Sequence, residues 1–115
     1  MTLIAWMLNV HAADNLAKNP DLDYLAIQIK NAEAEQARSA LEQIIADIQV
    51  DQGRYTYALV KPLTLLGDAQ IALQNPREAA EHYAHALHLS RSNQGLFAPE
   101  QVDIVYRQAT LQTAA

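Results

Sequence analysis

From Ala32 onward, apolar positions recur at steps of three and four residues. Ala34, Ala37, Leu41, Ile44, Ile45 and Ile48 share one face of a helix that the pattern carries to about Gln52, with Gly53 as its C-terminal stop. A second helix starts near Tyr57 or Pro62 and runs to Leu73, its apolar face made of Leu59, Leu63, Leu66, Ala69 or Gln70, and Leu73. Pro62 fits the first turn, where its missing N–H has no partner to lose; a helix starting well before it would kink. The third start is the clearest. Asn75 stands as cap, Pro76 as first helical residue and Glu78 three after the cap, the spacing of a capping box. The buried face of this helix is expected to hold Ala79, Ala80, Tyr83, Ala86 and Leu87, and Gly95 ends it. A last helix begins at Pro99 and carries Val102, Val105, Tyr106 and Ala109 toward the C-terminus.

The chain before Ala32 reads differently. Residues 13–31 have the Asn, Asp and Pro density of a connector, and within them "LDYLAIQIK" is ambiguous. Leu25, Ile27 and Ile29 alternate as in a strand, while Tyr24, Leu25 and Gln28 fit a helical turn; with no second strand in the chain, extended or weakly helical structure is expected. Residues 1–12, "MTLIAWMLNVHA", are apolar but too short for a helix that crosses a bilayer. Two readings stand for them. One is the end of an export signal, with Val10-His11-Ala12 as a cleavage site, which places the protein in the periplasm or outside the cell. The other is an N-terminal helix that docks Leu3, Ile4, Trp6 and Met7 on the core of a cytoplasmic protein.

Gly67 poses a packing question, because an isolated glycine inside a helix costs roughly 1 kcal/mol relative to alanine. Two helices joined only by Gln74-Asn75-Pro76 fold back antiparallel and approach closely at the turn. Gly67 and Ala79 are then expected to touch at that approach, with Tyr83 and Leu63 filling the space farther along. Enlarging either small residue is expected to cost about 1–3 kcal/mol.

The spacing of Leu63, Leu66-Gly67, Ala79, Tyr83 and Ala86 resembles the tetratricopeptide repeat, with Leu63 in place of its Trp and Tyr83 in place of its Phe. Gln70 departs from the usual Tyr, and Arg91 from the usual Pro. The match covers one unit, residues 60–93. The flanking stretches resemble bacterial repeat-containing proteins, many of them exported. The resemblance implies an all-α fold of antiparallel hairpins: an α-solenoid fragment of this type over residues 32–115, with divergent flanking helices. It also implies protein binding, with Lys61, Thr64, Asp68 and Ile71 lining a concave groove. The carboxylate clamp of some family members is not matched, since Thr64 and Asp68 occupy the corresponding places.

Composition narrows the alternatives. A single domain of 115 residues with 50% apolar residues and three glycines favours packed helices. A net charge of −5 without a Lys/Arg cluster argues against a nucleic-acid footprint, and the absence of cysteine removes thiol chemistry. No nucleotide loop, nucleophile motif or other cofactor signature appears, so a non-enzymatic role is expected. Asp47, Asp51 and Asp68 have no spacing that selects an acid/base couple, and Asp103 with Arg107 is expected as an exposed pair four residues apart. His82, His85 and His88 recur every third residue beside Glu78 and Glu81, the one metal-like pattern; successive steps rotate around the helix, so a polar face is the simpler reading. Repeat modules stack in threes or more. One clear unit therefore implies either capping by the flanking helices or pairing with a second copy. Three roles follow in order: an interaction module for another protein or peptide, a homo-oligomerising structural subunit, and a metal-binding protein.

Overall fold

The computed structural model describes residues 22–114, which form five helices and no strand. They are α1 (Leu22–Lys30), α2 (Ala34–Gln52), α3 (Val60–Ala72), α4 (Pro76–Gln94) and α5 (Pro99–Ala114), with a 3-10 turn, Tyr57–Leu59, leading into α3. Residues 1–12, with both readings placed on them, lie outside the described residues.

Local chemistry accounts for each boundary. The Thr56 hydroxyl accepts the Ala58 amide at 3.3 Å and opens the 3-10 turn. Pro62 then falls at the third position of α3, where no intrahelical N–H bond is lost, so the helix runs on without a break. Gly53 and Gly95 stop α2 and α4 with φ of 89° and 80°, each amide bonding back to the carbonyl four residues earlier. The other two turns use residues the sequence did not mark. Ala32 and Gln74 adopt φ of 65° and 64°, a left-handed geometry costing roughly 1–2 kcal/mol for a residue with a Cβ. Both turns are closed by a Schellman bond that satisfies a helix-end carbonyl: Glu33 N–H to Gln28 O at 2.9 Å and Asn75 N–H to Gln70 O at 2.8 Å.

Three expectations are corrected here. Residues 22–30 form a regular helix rather than extended or weakly helical chain, because Leu25 is buried against the cluster that α2 and α3 also build. The capping box does not form: Asn75 makes no side-chain cap bond, and its amide instead donates to Gln70 Oε1 at 2.9 Å. Ala80 faces solvent, one position off the stripe of Ala79, Tyr83, Ala86 and Leu87 that is buried.

Each helix packs on its neighbours in the chain, and the α3–α4 hairpin is the centre of the core. Leu41, Leu59, Leu89 and Ile104 are fully buried, so α2, the 3-10 turn, α4 and α5 all contribute to one cluster. Small residues set the helix spacing: Ala37, Ala69, Ala79 and Ala86 have no exposed surface. Gly67 lies inside this hairpin, but its closest neighbour is not Ala79. A Cβ placed on Gly67 would fall 2.3 Å from Cε1 of Tyr83, so the vacancy is filled by that ring, one helical turn beyond Ala79. The expected close approach exists, with a phenol seated where a methyl was anticipated.

The last helix does not bury the apolar residues that its sequence pattern picks out. Gln101 and Ile104 are buried and Leu111 packs on the core, while Val102, Val105, Tyr106 and Ala109 are exposed. The more hydrophobic stripe of α5 thus looks outward. No helix among the described residues is long and apolar enough to cross a membrane.

Candidate functional site

The Tyr83 ring that fills the Gly67 gap carries its hydroxyl out between α3 and α5, where it donates to Asp68 Oδ1 at 2.5 Å. Arg107 of α5 reaches the same carboxylate, with Nε to Oδ1 at 2.9 Å and a second nitrogen to Oδ2 at 3.1 Å. Three helices are therefore tied at one carboxylate. Bidentate Arg–carboxylate geometry is the strong form of this contact, and both partners are partly shielded from water. Burial, then the bond to Asp68, pushes the Tyr83 hydroxyl far above the ordinary phenol range. Burial is the largest single influence on Arg107 and opposes its charge, but the Asp68 bond together with the nearby negative charge of Asp68 and Asp103 outweighs it and holds the guanidinium more firmly protonated than usual. Both carboxylate oxygens are occupied, so this group serves as a clamp. The expected exposed pair of Asp103 with Arg107 is corrected accordingly, since Arg107 turns inward to a carboxylate 39 residues away.

The clamp divides a groove between α3 and α5 into two clefts. The larger, about 600 Å³, is walled by Ile71, Tyr106, Leu111 and the edge of Tyr83, with Asp68 and Arg107 at its inner end. The smaller, about 430 Å³, lies toward the helix starts among Tyr57, Lys61, Thr64, Glu100 and Asp103. All four residues assigned to a groove line one of these clefts. Their exposures differ. Lys61 and Ile71 are on the surface, whereas Asp68 is half-buried and Thr64 is buried, its hydroxyl donating to the Val60 carbonyl at 2.8 Å. Lys61 also pairs with Asp23 of α1 at 3.4 Å, which places the start of α1 at the mouth of the smaller cleft.

A polar knot fixes the start of α5. Tyr57 donates to Glu100 Oε1 at 2.5 Å and Ser90 to the same oxygen at 3.2 Å; Gln101 donates to Ser90 Oγ at 3.0 Å and to the Gly95 carbonyl at 2.6 Å. The Tyr57 bond, chiefly, holds the Glu100 carboxyl below its ordinary range. Of the repeat-signature positions, Leu63, Leu66, Gly67, Ala79, Tyr83 and Ala86 are all buried in the α3–α4 hairpin.

Sequence reasoning missed Arg107 as a clamp and Tyr106 as a groove wall. Nothing in the spacing links Arg107 to Asp68. Ser90 did carry a signal, because it extends the buried stripe Ala79-Tyr83-Ala86-Leu87 as a polar residue needing a partner.

The histidine row takes a different place. His82 and His85 are half-buried and His88 is exposed; among the described residues no three His, Asp or Glu side chains gather as a metal site. Burial lowers the pKa of His82, against the raising effect of Glu81, Glu42 and Glu78, and burial also lowers that of His85. A depressed histidine is neutral in the fold, while the unfolded chain takes up its proton near the ordinary value of 6.5. Stability is thus full above that value and falls as pH drops through it toward the depressed folded values. The thermal midpoint is expected to fall by a few degrees between about pH 7 and pH 5.5, and to fall less in the His82→Gln/His85→Gln double variant. A midpoint equally pH-dependent in both proteins would contradict this.

No family model matches this sequence, and neither the curated proteins nor the solved structures yield a match.

Proposed function

We propose that this chain is a non-enzymatic interaction module that receives a segment of another protein in the groove between α3 and α5. The single observation that carries the reading is the larger cleft: an open, mainly apolar recess of about 600 Å³ whose one ion pair is already satisfied internally. Such a recess offers apolar contact without a catalytic group left unpaired, which suits a side chain anchored from a partner segment. The resemblance of residues 60–93 to a tetratricopeptide repeat supports the same reading, since that family uses the corresponding face for binding. On this account Lys61, Thr64, Asp68 and Ile71 belong to the binding surface, joined by Tyr106 and Arg107.

A photo-crosslinking residue at Ile71, in the native cell, is the test. Adducts with a second protein are expected from Ile71 and not from the exposed His88 on α4, and the identified partner's affinity should fall at least tenfold for Ile71→Glu. Adducts with copies of this chain alone would instead favour a homo-oligomeric subunit. That second reading has its own observation: Leu96 and Phe97 of the α4–α5 loop and Val102 of α5 are large apolar side chains left exposed.

A further inference from the structure

The two clefts of the groove differ in charge. Among their lining residues the cations are Lys61 and Arg107, and each already meets a carboxylate, Asp23 at 3.4 Å and Asp68 at 2.9 Å. The larger cleft is thereby neutral, with Ile71, Tyr106 and Leu111 as apolar walls. The smaller cleft is not. Glu100 and Asp103 line it, and among the described residues neither forms an ion pair. Glu100 takes hydroxyl bonds from Tyr57 and Ser90, which leave its charge unopposed by a cation. Asp103 is exposed, and its nearest opposite charge, Arg107, is committed to Asp68. Along the groove Asp23, Asp68, Glu100 and Asp103 thus face only Lys61 and Arg107, and the surplus negative charge sits at the smaller cleft. Arg107 borders both clefts, so they adjoin. On α5 the smaller cleft takes Asp103 and the larger Thr110, about 10 Å apart along the helix. An extended segment covers that distance in about three residues.

We propose that the groove selects a basic peptide segment, one that seats a large apolar side chain in the larger cleft and, about three residues along, brings a Lys or Arg to Glu100 and Asp103. The proposal rests on the groove being a binding surface and adds the chemistry of what it binds. The smaller cleft suits such a side chain, because Val60, Leu65 and Ile104 also line it and can cover the alkyl stem while the charged head meets the carboxylates. The net charge of −5 adds a long-range field of the same sign. An acidic segment with the same apolar anchor meets uncompensated like charge, so the two carboxylates reject as well as attract.

Selection of a random-peptide phage library on the full chain tests this. Enriched peptides are expected to pair a large apolar residue with a Lys or Arg about three positions away. A synthetic peptide of that consensus, followed by fluorescence anisotropy, should bind roughly tenfold more weakly to Asp103→Lys, with helix content unchanged by circular dichroism. Replacing the basic residue of the peptide by Glu should weaken binding to the unsubstituted chain and restore it to Asp103→Lys. Ile71→Ser with Tyr106→Ser, two exposed positions in the larger cleft, should remove binding of both peptides without altering charge. Enriched peptides with an apolar anchor and no basic preference would overturn the proposal, as would a consensus affinity that Asp103→Lys leaves unchanged; both results leave the groove itself standing as a binding surface. Enrichment that survives the Ile71/Tyr106 double variant, or no enrichment at all, would overturn the proposal together with the reading on which it rests.

Discussion

Gly67→Ala is expected to destabilise the protein by about 2 kcal/mol, although alanine is the better helix former by about 1 kcal/mol. The new methyl would lie 2.3 Å from Cε1, 2.7 Å from Cδ1 and 2.9 Å from Cζ of Tyr83, closer than non-bonded carbons approach. Tyr83 has no easy escape. Its ring is 2% exposed, and its hydroxyl is held by Asp68. Displacing a packed ring costs about 1–3 kcal/mol, and weakening a hydrogen bond to a charged group about 1.5 kcal/mol more, which together exceed the helical gain. The sign should invert when the ring is absent. In a Tyr83→Ala background, Gly67→Ala is expected to be neutral or to stabilise by up to about 1 kcal/mol, because only the propensity term remains. Urea denaturation of the four proteins in this cycle measures both numbers. Equal effects in the two backgrounds would mean that Tyr83 does not occupy the Gly67 gap.

The second large effect is expected at Asp68. Asp68→Ala leaves Arg107 without its carboxylate and the Tyr83 hydroxyl without its acceptor, and the expected loss is about 2 kcal/mol. A fully buried pair would lose more on removal of one partner, about 3–5 kcal/mol; the side chains of Asp68 and Arg107 are 25% and 34% exposed, so water recovers part of the difference. Asp68→Asn keeps an acceptor for Tyr83 and loses the charge facing Arg107, and should fall between. The damage is also expected to be local. α5 is held to α3 through this carboxylate, so amide hydrogen exchange in α5 should accelerate more than in α2. Uniform acceleration along the chain, or a loss below about 0.5 kcal/mol, would show that the clamp contributes little beyond a surface pair.

Periodicity made α2, α3 and α4 legible because their buried stripes are long, and Gly53, Pro76, Gly95 and Pro99 marked helix ends, the start of α5 among them. It was weaker where tertiary packing decides. In α1 only Leu25 is buried, and alternating Ile27 and Ile29 carry as much strand character as helical character until α2 and α3 cover one side. In α5 the stripe with the higher hydrophobicity faces outward, since Gln101 finds Ser90 and Gly95 as partners and so becomes cheap to bury. Lys61, Thr64, Asp68 and Ile71 enter through the resemblance of α3 to the first helix of a tetratricopeptide repeat, and all four line the two clefts, but the opposing wall is supplied by Tyr106 and Arg107 across more than thirty residues, a pairing that spacing alone does not encode.

The helical cost of Gly67 marks the gap, and the group that fills it is Tyr83, one turn beyond Ala79. The distinction matters for the groove. A methyl at that point would leave the α3–α4 hairpin independent of α5, whereas a phenol passes through the hairpin and presents its hydroxyl to the carboxylate that Arg107 clamps. A backbone vacancy in α3 is in this way coupled to the placement of α5 and to the width of the cleft.

That coupling is open to one direct measurement, the nuclear Overhauser contacts of the Gly67 α-protons in solution. Strong cross-peaks to the ring protons of Tyr83, with one α-proton displaced by the ring current, are the expected result. Cross-peaks to the Ala79 methyl with none to the Tyr83 ring would contradict the packing from which the clamp and the groove are built.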